Sequence, residues 1–166
     1  MKIPKQLSGI TGEYYVAAEF SRRGYLAAIT LRNSDGVDIL VSNIKGDKTF
    51  SIQVKTTQNK RKWIWNKKVE EETSRNKYFV FVNIPKDIDK HPEYFIVNSK
   101  ALSECIKEGH QNWLKKPTKN GKRRNDSNAR KFDADYFKMH LSDKLIEGFD
   151  KLIHLLNERI EDADSL

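Results

Sequence analysis

The chain is predicted to be an α/β protein with a mixed sheet of about five strands flanked by helices. Three observations predict this. Short β-prone runs at 26–32, 37–42 and 49–57 are separated by glycine-containing turns. Two further apolar runs follow at 78–84 and 93–99. Segments with helical spacing stand before, between and after these strands. At 166 residues the chain is long enough for one domain with a core that needs no disulfide, spanning 1–166.

A helix is expected from about Thr11 to Arg23. Val16, Ala17 and Phe20 recur at helical spacing, and Gly24 is a natural stop. LAAITLR (26–32), the turn NSDG (33–36), VDILVS (37–42), the turn KGDK (45–48) and TFSIQVKTT (49–57) form a three-strand antiparallel meander. YFVFVNI (78–84) is apolar nearly throughout, as expected of a strand buried on both faces, and EYFIVNS (93–99) is another strand. Ser99 is expected to cap a helix from Lys100 to about Lys115, which Pro117 ends. Residues 117–131 lack core residues and are expected to be a mobile basic loop. A last helix is expected from about Ser142 to Glu161, with Leu145, Phe149, Leu152, Ile153, Leu156 and Ile160 on one face.

The net charge is +8, and its distribution is uneven. Residues 55–68 carry six basic residues and no acid; residues 115–131 carry eight against Asp126 alone. The remainder is net acidic, so two basic segments on an acidic body point to a localised surface for a polyanion. The plainer reading is that such runs are solvated loops. Cys105 is the only cysteine, which excludes an intrachain disulfide and points to a reducing, cytoplasmic compartment, with Cys105 as inert packing. No run of about 18 apolar residues exists, so no membrane span is expected, and the N-terminal stretch lacks the apolar core of a secretory signal.

Chemistry concentrates on four residues. Along 50–55, Phe50, Ile52 and Val54 alternate with Ser51, Gln53 and Lys55. On the preceding strand Asp38 opposes Val37, Ile39 and Val41. If Asp38, Gln53 and Lys55 share the polar face, away from the core, two oxygen ligands and an ammonium converge. Such a set suits a hard cation and a phosphate. Glu13 adds a third oxygen donor from the apolar face of its helix, where a carboxylate needs a partner. Each has a plainer reading. Glu13 can answer the helix dipole. Asp38 can flank a turn. Gln53 and Lys55 can form the exposed stripe of a half-solvated strand. In KTTQNKRKWIWNKK (55–68), Trp63 and Trp65 interleave with cations, which suits phosphate contact plus stacking, although at least one Trp should face the core. The four histidines show no ligand spacing.

GEYYVAAEFSRRGY (12–25), GVDILV (36–41) and IQVKT (52–56) resemble the core of the PD-(D/E)xK nuclease superfamily, which includes restriction enzymes and Holliday-junction resolvases. The similar stretch covers about residues 9–58. Glu13, Asp38 and Lys55 match the helix-borne acid, the second-strand Asp and the lysine. Gln53 replaces the usual acid, as in Q-x-K variants of the superfamily, and Val37 stands in place of the proline. The resemblance implies a restriction-endonuclease-like fold and an Mg²⁺- or Mn²⁺-dependent DNA endonuclease with catalytic residues Glu13, Asp38, Gln53 and Lys55. It implies metal ligation by Asp38, Gln53, the Val54 carbonyl and Glu13, directly or through water. Lys55 would position the nucleophilic water and neutralise the scissile phosphate. DNA contacts are expected from Lys60, Arg61, Lys62, Trp63, Lys67, Lys68, Lys122, Arg123 and Arg124. A homodimer is expected, because family members that cut both strands are often dimers and the last helix is amphipathic. Two other classes stay open: a catalytically inactive nucleic-acid-binding module on the same fold, and a small-molecule or structural protein whose basic loops bind RNA or an acidic partner.

Overall fold

The computed structural model describes residues 3–31, 36–71, 73–140 and 142–161, without the side chains of 140 and 158–161. The expected α/β architecture is present. A five-stranded mixed sheet runs in the order β1 (Leu26–Ile29), β2 (Ile39–Ser42), β3 (Thr49–Gln58), β5 (Lys77–Ile84), β6 (Glu93–Asn98). Strands β1, β2 and β3 form the antiparallel meander; β3 and β5 are parallel; β5 and β6 are antiparallel. The turn expected at 33–36 lies outside the described residues apart from Gly36, as does Arg32 at the end of the first expected strand.

Both faces of the sheet carry a core. One face, with Ile39, Val41, Phe50, Ile52, Val54, Tyr78 and Val80, is covered by α1 (Lys5–Ser21) and α4 (Gly148–Glu161). The other, with Phe79, Phe81, Phe95 and Val97, is covered by α2 (Ser99–Lys115) and by a second, two-stranded sheet of β4 (Lys62–Asn66) and β7 (Ala129–Asp133). This explains why every residue of 78–84 is buried. It also corrects the expectation that the Gln53 and Lys55 face lies away from the core.

Helix α1 begins six residues before the expected Thr11, at Lys5. Its early turns bury Ser8 and Gly12 in line with Val16 and Phe20. Small residues at i and i+4 carry no hydrophobic signal, yet they let the helix backbone approach the sheet closely. A Cβ on Gly12 would overlap the Thr56 hydroxyl. The helix stops at Gly24, whose φ of 83° closes a C-cap in which Tyr25 N–H donates to Phe20 O at 3.2 Å and Gly24 N–H to Ser21 O at 3.0 Å.

Two segments differ from expectation for one reason. KWIWN is strand β4, and the end of the expected loop 117–131 is strand β7. Each is short, and each exists because the other pairs with it antiparallel, Trp63 opposite Phe132 and Ile64 opposite Lys131. Arg130, counted among the loop cations, is 3% exposed and forms a buried ion pair with Glu70. A further helix, α3 (Ala134–His140), follows β7. The α2 cap is Asn98, whose side chain accepts from Lys100 N–H at 3.0 Å; the Ser99 hydroxyl is instead bound to the Ser74 backbone.

The last helix starts at Gly148, not Ser142. Residues Ser142–Lys144 are a 3₁₀ turn, Gly148 takes φ 85°, and Leu145 packs on the opposite side of the sheet from Phe149, Leu152 and Leu156. Phe149, Leu152 and Leu156 of α4 are thus packed inside the chain, in the core that α1 also covers. Cys105 is buried, and burial pushes its thiol up to about 11, which keeps it protonated and inert. Among the described residues, no helix is long and apolar enough to cross a membrane.

Candidate functional site

The site is organised by the middle of β3. Parallel register sets Gln53 beside Phe79 and Lys55 beside Phe81, so both point toward the layer formed by β4, β7 and α2. Gln53 is 7% exposed, and its Oε1 is buried with no hydrogen-bond partner among the described residues. Lys55 is half-buried. Its Nζ lies 5.0 Å from the centroid of the Trp65 ring, which in turn stands edge-on to Phe79 at 4.9 Å. A cation over a tryptophan face is held electrostatically and kept from wandering.

Asp38 sits one residue before β2. Its backbone is fixed on both sides: its N–H donates to Ile52 O at 2.9 Å, and its carbonyl accepts from Thr30 N–H at 2.9 Å. Its carboxylate then does what the ended strand cannot. Oδ2 accepts the Val54 N–H at 2.7 Å. The carboxylate therefore lies at the edge of β3, between the points where Gln53 and Lys55 leave the chain. In an extended strand the carbonyl of a residue leaves on the same edge as its N–H, so Val54 O shares that edge.

Glu13 comes from the other side. Helix α1 runs antiparallel to β3, with Phe20 against Phe50 (centroids 5.7 Å apart) and Gly12 against Thr56. Glu13 is partly buried and level with the Val54–Thr56 segment, on the helix that covers the face opposite Gln53 and Lys55. The structure thus brings the Asp38 carboxylate to β3 between Gln53 and Lys55, and carries Glu13 on α1 at the level of the same segment. Among the described residues no cluster of three or more His, Cys, Asp or Glu forms a metal site; the candidate oxygens are two carboxylates, an amide and a backbone carbonyl.

The residues expected to meet DNA divide. Lys60, Lys67, Lys68, Lys122 and Arg123 are exposed. Lys62 pairs with Asp133 at 3.3 Å. Arg61 is held between Glu93 and Asp135, which raises its pKa further and, through the Arg61 hydrogen bond, holds the Glu93 carboxyl below its usual range. Arg124 donates to Lys116 O at 2.9 Å and lies 4.7 Å from the Trp113 ring centroid, so it braces the loop. Trp63 is a correction. It is 4% exposed and packs against Phe81, Phe95 and Phe132, leaving no ring face for a base.

Sequence reasoning missed Trp65 as the seat of Lys55 and Thr56 as the seat of Gly12. The alternation of Trp63, Ile64 and Trp65 was the available signal for a strand with both tryptophans inward. No protein-family model and no curated protein matches this chain.

Proposed function

We propose that the protein is a divalent-metal-dependent DNA endonuclease of the PD-(D/E)xK type. The observation that carries the reading is the orphaned Gln53 Oε1. A buried carbonyl oxygen without a donor costs free energy, about 1–3 kcal/mol, unless something positive meets it. It leaves β3 beside the backbone N–H that Asp38 accepts, on the strand that also presents Lys55. A hard cation on Gln53 Oε1, Asp38 and the Val54 carbonyl answers that cost with oxygen ligands of the type Mg²⁺ and Mn²⁺ prefer. Glu13 would join from α1.

When bound, such an ion supplies Lewis-acid polarisation of a phosphoryl oxygen. The chain's own residues do the rest. The Lys55 ammonium, held by Trp65, balances charge on the scissile phosphate and orients a water toward phosphorus. Asp38 holds its position through Val54 while keeping a second oxygen free of that bond. The water oxygen adds to phosphorus as its proton passes to solvent, the P–O ester bond breaks, and the leaving oxygen takes up a proton from solvent, so the proton count closes.

Nicking of supercoiled plasmid in Mg²⁺ or Mn²⁺, against EDTA, tests this. Lys55→Met should abolish cleavage while the protein melts as the wild type does. Wild type cleaving linear, supercoiled, single-stranded and branched DNA no better than Lys55→Met refutes it. The neutral Gln53, standing where an acid is usual, favours as second reading a binding module without catalysis. Cutting both strands at one place would call for two copies of the site, and light scattering at high concentration tests for the homodimer.

A further inference from the structure

The two basic segments, 55–68 and 115–131, meet in the fold, where β4 of the first pairs with β7 at the end of the second. Strands β4 and β7 form one antiparallel ribbon, and its two faces differ sharply. Trp63, Trp65, Arg130 and Phe132 point inward and are buried or half-buried. Lys62, Ile64 and Lys131 point outward and are exposed, and Ile64 is 82% exposed. Ile64 and Lys131 are direct cross-strand neighbours. Lys60 precedes the ribbon, and Lys67 and Lys68 follow β4, all exposed. The single acid of the outward face, Asp133, lies 3.3 Å from Lys62 and 3.1 Å from Lys131, so it neutralises part of the charge and leaves a clear positive excess.

We infer that the outward face of the β4–β7 ribbon docks on duplex DNA, with Lys60, Lys62, Lys67, Lys68 and Lys131 on phosphates and Ile64 directed into a groove. This rests on the DNA reading proposed above and names the form of DNA. Charge complementarity identifies a nucleic-acid backbone as the occupant. The choice of duplex over single strand follows from the aromatics. Single-strand binders stack bases on exposed rings. Here both tryptophans of the ribbon are turned into the core, Trp63 fully, and Trp65 is committed to Lys55 and Phe79. The outward face offers an aliphatic side chain among lysines instead. A duplex accepts that combination: cations along the phosphates, and an apolar side chain against base edges or between base steps. A two-stranded ribbon also fits the major groove, about 12 Å wide. Trp65 joins this face to the candidate site, because its ring is the inner side of the ribbon and the seat of Lys55.

Fluorescence anisotropy of the full chain with a short labelled duplex, its single strand and the matching RNA duplex, all in EDTA across a salt series, tests the inference without requiring cleavage. Wild type should bind the DNA duplex more tightly than the other two. The triple variant Lys60→Gln/Lys67→Gln/Lys131→Gln should lower the slope of log K against log salt by about 2.7, roughly 0.9 per phosphate contact. Ile64→Asp should weaken duplex binding at least tenfold while melting as the wild type does, since its side chain is exposed. A control triple at Lys86, Lys100 and Lys107, exposed elsewhere, should change the slope less. An unchanged slope in the ribbon variant, or tighter binding to the single strand or to RNA, overturns the proposal. If wild type cleaves DNA and the ribbon variants keep its salt slope, the ribbon falls and the nuclease stands; if wild type binds through the ribbon and never cleaves, the reverse holds.

Discussion

Replacing Asp38 separates its structural work from its chemistry. In Asp38→Ala the Val54 N–H loses its 2.7 Å acceptor. Val54 is 7% exposed and lies on the central strand, so water cannot readily replace the lost oxygen. An orphaned buried donor costs about 1–3 kcal/mol, and a bond to a carboxylate stands near the upper end of that range. We expect Asp38→Ala to lose about 2 kcal/mol. With a urea m-value of about 2 kcal/mol/M, the midpoint should fall by roughly 1 M. Asp38→Asn keeps a side-chain oxygen that can accept the same N–H and should recover at least half of the loss. It removes the charge, however, and should not restore metal-dependent nicking. The assay is equilibrium urea unfolding of the three proteins in EDTA, with plasmid nicking in Mn²⁺ alongside. An Asp38→Ala midpoint equal to wild type would refute the assigned hydrogen bond. An Asp38→Asn protein as active as wild type would refute the ligand role while leaving the bond intact.

Gln53→Glu should bind Mn²⁺ at least about tenfold more tightly by calorimetry, because it adds a charge to the oxygen set, and should melt lower than wild type in EDTA, because it buries an unpaired carboxylate. Equal affinity for both proteins would remove Gln53 from the site. Gly12→Ala should destabilise by about 1–3 kcal/mol in urea, despite gaining about 1 kcal/mol in helix propensity, since its Cβ would also lie 3.0 Å from Thr56 Cβ and 3.1 Å from Cγ2; a Thr56→Ala background should shrink that loss, and strictly additive effects would contradict the contact. Glu93 has its pKa lowered by the Arg61 hydrogen bond, so its contribution is present above the unfolded carboxylate value and is lost as pH falls through the lower folded value. Glu93→Gln should therefore flatten the acid limb of stability against pH, and an unchanged limb would show that the pair contributes nothing.

Much of the frame was decided locally. Alternation in TFSIQVKTT, the unbroken apolar run YFVFVNI and the glycine stop after α1 each impose their element through side-chain period or backbone freedom, and each stands where those signals put it. The meander of β1, β2 and β3 follows from short turns, which leave antiparallel pairing as the near alternative. Asp38, Gln53 and Lys55 could be brought to one region from register alone. What only the tertiary structure decided depends on partners distant in the chain. Strands β4 and β7 are too short to hold an extended form alone, so the five residues KWIWN become a strand because another five, more than 60 residues away, complete their hydrogen bonds. Arg130 is a core residue because Glu70 awaits it, and Trp63 is a core residue because Phe81, Phe95 and Phe132 surround it. The start of α1 was hidden because Ser8 and Gly12 act through smallness, which hydrophobic periodicity does not register. Above all, alternation alone puts the face that carries Gln53 and Lys55 away from the core, since the apolar residues of β3 occupy the other face. The β4–β7 layer folds over it instead. That cover leaves Gln53 Oε1 buried without a donor and fixes Lys55 on Trp65, and burial of a polar atom is a property of what packs above it, which no local pattern encodes.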